Sequence, residues 1–186
     1  MNSTSFKNIS LRGRTGWVLC CLENTISHQG LDHPRWQIIL DLVWKGTEAD
    51  YGLLEDEFTH ISPSIILSYS NFASYTSLYP PRTSLQFHYN AESEAEFNEL
   101  RTIYQQSEVA NSLLESILGF ACHPIYGGIV DEVILKKIDK LIHIMNVHSI
   151  PLPDVNLFAF SAPNAGTSDP LHGAPFTRAD IFGPKV

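Results

Sequence analysis

The chain has 186 residues, of which 44% are hydrophobic and 17% charged, and a formal charge of −8. That much apolar side chain supports one buried core and excludes disordered, collagen-like and coiled-coil chains. No apolar run approaches the roughly 18 residues of a membrane helix, and the N-terminus, with Lys7, Arg12 and Arg14 but no apolar centre, does not read as a secretory signal, so a cytoplasmic protein is expected.

Residues 1–14 read as an N-terminal arm, residues 15–160 as a helical domain and residues 161–186 as a C-terminal tail. Trp17, Val18, Cys20, Cys21, Leu22 and Ile26 predict a first helix over 15–29, ending before Gly30. Asp32 as N-cap and Pro34 in the first turn open a second, in which Trp36, Ile39, Leu40, Val43 and Trp44 recur at three and four until Lys45 and Gly46. The two should form an antiparallel hairpin.

A third helix is predicted over 50–60, with Tyr51, Leu54 and Phe58 inward. Ser62 and Pro63 mark the start of a fourth, and Pro80 with Pro81 breaks any helix between residues 70 and 89. Ser93 followed by Glu96 forms a capping box for a helix to about residue 106. Strongly apolar patterns over 107–121, with Leu114 and Ile117, and after Gly127 and Gly128, with Ile134 and Leu141, predict two more. The sole candidate strand is 155–160. The expectation is an all-α fold of about seven helices, packed as an irregular helical-repeat-like bundle. The Pro- and Gly-rich tail should be mostly irregular, but Phe158, Phe160, Phe176 and Phe182 are anchors that hold part of it to the body.

Chemistry-bearing patterns are sparse. The nucleophile-elbow, phosphate-loop, H-E-x-x-H and C-x-x-C motifs are missing, and the closest of the eight histidines stand five apart, where metal-binding pairs on one helical face stand three or four apart. Cys20 and Cys21 lie in an apolar stretch and, with Cys122, make an odd number that does not suggest a disulfide framework. No catalytic residue, metal or cofactor is expected. The charge is the informative feature. Between Gly46 and Leu100 nine acids face a single base, Arg82, so this segment carries the whole net charge and the remainder is neutral. Such a balance disfavours direct nucleic-acid binding, which needs clustered lysines and arginines, and suits a basic protein partner. A binding module with an acidic surface follows, made of Glu48, Asp50, Glu55, Asp56, Glu57, Glu92, Glu94 and Glu96, with Tyr51, Tyr69 and Tyr75 as aromatic anchors. Asn164, Asp169 and Asp180 in the tail are secondary candidates.

The run Arg35-Trp36-Gln37-Ile38-Ile39-Leu40-Asp41-Leu42-Val43-Trp44, then Glu57-Phe58 and Ile61-Ser62-Pro63-Ser64-Ile65-Ile66-Leu67, resembles the helical immunity proteins of bacterial polymorphic and contact-dependent growth inhibition toxin systems. Asp139-Lys140-Leu141-Ile142-His143-Ile144-Met145, ending in Ile150-Pro151-Leu152-Pro153, and the tail from Phe158 to Phe176 are similar as well. Where members of that family have Gly-Trp-Gly in the tail, this chain has Gly166-Thr167 or His172-Gly173. The resemblance implies a non-enzymatic cytoplasmic protein that binds and neutralises a cognate toxin domain, and a nuclease toxin would be basic, matching the acidic surface. The alternative is an all-helical adaptor or scaffold for a host-cell protein.

Overall fold

The computed structural model describes residues 1–48, 58, 60–79, 93–122, 131–161 and 173–183. Among these the protein is an all-α bundle with no strand. Of the helix expected over 50–60 only Phe58 and His60 are described, both helical and buried. The expected loop around Pro80 and Pro81 and the glycine pair Gly127-Gly128 lie outside the described residues.

The bundle is organised around α1 (Leu11–Gln29). Every residue from Leu11 to Leu22 is buried, so this helix is covered on all sides rather than along one stripe. It begins at Leu11, not near residue 15, because Ser10 caps it, its hydroxyl accepting from the Gly13 amide at 3.1 Å. Arg12 and Arg14 are buried in its first turn, where sequence alone favours an exposed arm. Arg14 donates from Nε to the Phe6 carbonyl at 3.1 Å and pairs with Asp131. The preceding 3-10 turn, Ser3–Phe6, places the Phe6 ring edge-on to Trp17, with centroids 4.8 Å apart.

Gly30, with φ of 62°, ends α1 in the left-handed conformation that glycine adopts without strain. The chain then returns as α2 (Pro34–Glu48), burying Trp36, Ile39, Leu40, Val43 and Trp44 as the periodicity predicts. Its cap is His33 rather than Asp32: His33 Nδ1 accepts the Arg35 amide at 3.2 Å, a position that leaves Asp32 exposed outside the turn. Helix α3 (Pro63–Ser68) starts at the Ser62 cap with proline first, as expected. A short α4 (Phe72–Thr76), capped by Asn71, follows in a stretch expected to be irregular. Then come α5 (Glu94–Tyr104), α6 (Glu108–Cys122) and α7 (Asp131–Val147). Helix α6 packs on α1 and α7 packs on α6, with Leu114, Ile117, Ile134 and Leu141 in the core.

The candidate strand is a 3-10 turn, Val155–Phe158, capped by Asp154, whose side chain accepts from the Asn156 amide. Phe158 is fully buried, and the turn sits against α1. The last described residues cross the bundle as a strap leading into α8 (Arg178–Phe182). Ser161 and Ser10 share a hydroxyl–hydroxyl hydrogen bond at 2.6 Å, and the Ser10 amide donates to the Ser161 carbonyl at 2.6 Å. The Phe176 amide donates to the Thr47 carbonyl at 3.1 Å, and Thr47 Oγ1 donates back to the Phe176 carbonyl at 2.7 Å. Phe176 and Phe158 press on α1 where it carries Gly16. A methyl group there would stand 2.7 Å from Phe176 Cζ and 3.0 Å from Phe158 Cε1.

Gly16→Ala is therefore expected to lower stability by about 1–3 kcal/mol through overpacking, measured by urea denaturation. In a Phe176→Ala background the same substitution should cost far less, because the ring that it strikes is gone. An equal cost in both backgrounds would refute the contact.

Candidate interaction surface

The acidic side of the molecule is built where α2 meets α5. Arg35, in the first turn of α2, reaches across to α5 and donates from Nε to Glu99 Oε2 at 2.9 Å and from an η nitrogen to Glu96 Oε1 at 3.4 Å. The Arg35 side chain is only 12% exposed, and the two carboxylates about a third exposed. Burial opposes its charge, but the hydrogen bonds and charges of Glu99 and Glu96 outweigh that, so its pKa rises above the ordinary value. His33 Nε2 lies 3.8 Å from Glu99. Glu96 is thus only half of the expected capping box: Ser93 accepts from the Glu96 amide at 3.3 Å, while the Glu96 carboxylate turns to Arg35. Of the proposed acids on α5, Glu94 is the one that stands fully exposed.

The aromatic candidates separate in the same way. Tyr75 is 1% exposed and cannot meet a partner at the surface. Helix α4 lays it against α5, its ring 5.2 Å from Phe97 and its hydroxyl 2.7 Å from His60 Nδ1. Burial first, then Tyr79 and Tyr69, push its phenol well above the ordinary value. Tyr69 is half-buried at the edge of this cluster, 6.0 Å from Tyr75. Tyr51, Asp50, Glu55, Asp56, Glu57 and Glu92 lie outside the described residues, as do Asn164 and Asp169.

The outer face of α2 is a stripe of which charge counting registers only Glu48. Gln37, Ile38, Asp41 and Glu48 are exposed there, and Gln37 donates to Asp41 at 2.6 Å. The helical period would have found them, since they fall between the buried positions Trp36, Ile39, Leu40, Val43 and Trp44. Ile38 is 39% exposed and sits beside acids, the combination expected of an interface anchor. Toward the C-terminal end of α2, Asp41, Trp44, Lys45 and Glu48 form a groove of about 320 Å³ with Thr177, Arg178, Ala179 and Gly183. Arg178 is committed beneath it, donating from Nε to Glu23 at 2.8 Å, and Glu23 also accepts from Trp44 Nε1 at 2.9 Å. Asp180 is a structural cap, not a free tail acid: it accepts from the Thr177 amide at 2.7 Å and hydroxyl at 2.9 Å.

Exposed bases are more confined than exposed acids, which also stand on α7 as Glu132 and Asp139. Every fully exposed lysine or arginine among the described residues is Lys7 or lies on α7, whereas α2 and α5 expose Asp41, Glu48 and Glu94 and keep Arg35 partly buried between them. No cluster of three or more His, Cys, Asp or Glu among the described residues could hold a metal, and no described helix is long and apolar enough to cross a membrane. Cys20 and Cys21 are buried, and burial raises both thiols above their ordinary range, which leaves them protonated and weakly nucleophilic. Comparison with known proteins gives no matching family model, curated protein or solved structure.

Arg35→Ala should cost roughly 1–2 kcal/mol, between the values for exposed and buried pairs, and a double-mutant cycle with Glu99→Gln should recover most of it as coupling. A coupling of zero would show that the pair holds nothing together. Asp180 makes a pH-dependent contribution. Its bonds from the Thr177 amide and hydroxyl lower its carboxyl below the ordinary 3.8. The folded value lies below the unfolded one, so the stabilisation is complete above the ordinary value and is lost as pH falls through the lowered folded value. The Thr177 amide resonance should shift through that acid step, and Asp180→Asn should abolish the step.

Proposed function

We propose that the chain is an immunity protein that binds a cognate toxin domain, a basic nuclease, through the acid-bearing side formed by α2 and α5. The lack of fully exposed lysine or arginine on α2 and α5 supports this reading most directly. Asp41, Glu48 and Glu94 face solvent on the side where Arg35 is held inward, so an approaching basic surface meets carboxylates and no exposed guanidinium of this pair. The acids steer association, and Ile38 within the same stripe supplies an apolar contact that the charges cannot. Tyr69 can contribute only its exposed edge, and Tyr75 holds the platform from beneath. In this reading the chain catalyses nothing; it acts by occupying the toxin.

The reading requires a reading frame beside this one whose product arrests growth when expressed alone and is silenced by coexpression of this chain. The triple variant Asp41→Lys, Glu48→Lys, Glu94→Lys should keep its helical circular dichroism. It should also associate with that product at least about tenfold more slowly at low salt, the size expected of lost steering, and protect poorly. Full protection by the variant, with an association rate indifferent to salt, would remove the acidic side from the interface. Absence of any toxic neighbouring product would favour the adaptor alternative.

A further inference from the structure

A second groove, lined by α3, α6 and α7, has a different character. Helix α3 is six residues long and ends at Ser68, leaving the facing parts of α6 and α7 uncovered. The resulting groove has a volume of about 480 Å³ and an apolar wall of Leu67, Leu141 and Ile144, a size and lining typical of sites that seat a few apolar groups. Lys137 and Lys140 stand on its rim, and neither has a carboxylate partner among the described residues. The acids nearest to them along α7 are engaged elsewhere: Glu132 with Lys136 at 2.8 Å, and Asp139 with the Ser3 amide at 2.8 Å and hydroxyl at 2.6 Å. Glu115, the carboxylate inside the groove, accepts at one oxygen from the Ser62 hydroxyl and the Ser64 amide, each at 2.7 Å. Its bonds tie α6 to the start of α3 and fix the width of the groove.

We propose that this groove docks a protein segment in which apolar side chains are flanked by Asp or Glu. The apolar side chains would cover Leu67 and Ile144 above the buried Leu141, and the carboxylates would meet Lys137 and Lys140. Charge complementarity selects this occupant, because Lys137 and Lys140 are exposed cations at the groove with no carboxylate partner among the described residues. The surface is independent of the acidic side and of the toxin reading, so either can fail alone.

Fluorescence anisotropy with a short labelled peptide of leucine and glutamate tests it, against two controls in which glutamate is replaced by lysine or leucine by serine. The leucine–glutamate probe should bind saturably and both controls should bind at least about tenfold more weakly, a difference of roughly 1.4 kcal/mol. Lys137→Glu with Lys140→Glu should abolish binding with unchanged circular dichroism, while Asp41→Lys on α2, outside the groove lining, should leave it intact. Equal binding of the leucine–glutamate and leucine–lysine peptides would mean indiscriminate apolar adhesion and overturn the proposal. So would failure of all three peptides to bind, or binding that survives the double charge reversal. Concentration-dependent self-association abolished by that same double reversal would assign the groove to a second copy of this chain and overturn it too.

Discussion

A helix buried on every side must be covered on every side, and the architecture follows from meeting that demand for α1. No single neighbour can do it. Helices α2 and α6 cover two flanks, the N-terminal turn brings Phe6 onto Trp17, and the last described residues close the remaining gap where Gly16 lets two phenylalanine rings approach the backbone. Several polar side chains inside this cover find partners: Thr15 and Thr25 donate to carbonyls one turn back, at 2.9 and 2.8 Å, and Arg14 finds Phe6 and Asp131. An unsatisfied buried donor costs about 1–3 kcal/mol, so these bonds allow polar residues in a helix that the fold cannot leave exposed.

The outer shell inherits its charge pattern from the same arrangement. Arginines that lie between elements are drawn inward by carboxylates, Arg35 by Glu96 and Glu99 and Arg178 by Glu23, and they lose their availability to solvent. What remains visible is acidic on α2 and α5, while α7 exposes three lysines together with Glu132 and Asp139. A net charge of −8 therefore describes neither side. A basic surface nearby should meet the α2 and α5 side first, giving the molecule a preferred orientation before any contact forms.

Much of the helical framework was legible because it is written in local signals. The stripe of Trp36, Ile39, Leu40, Val43 and Trp44, the Ser62-Pro63 start and the Gly30 stop depend on neighbours within a few residues. The misread positions depend on partners far along the chain. Arg12 and Arg14 look like an exposed arm until the distant residues that bury them are in place, and Asp131 is 117 residues from Arg14. Glu96 looks like a free surface acid or the second half of a capping box until Arg35, 61 residues earlier, takes it. Tyr75 stands in a weakly patterned segment with no sign that a five-residue helix will press it into the core. Charge counting located the acidic half but treated every carboxylate in it as available, and it passed over Ile38 and Asp41, which periodicity places on the same outward face.

The strap across α1 also sets an order of events during synthesis. Glu23 and Arg178 are 155 residues apart, so at about 5–20 residues per second roughly 8–30 s separate the making of the central helix from the making of its last cover. For most of that interval the surface around Gly16 lacks Phe158, and for nearly all of it Phe176, so α1 is an apolar helix with one open side. The nascent chain exposes apolar surface there in the meantime, and α1 is covered on this side only when the segment bearing Phe176 arrives.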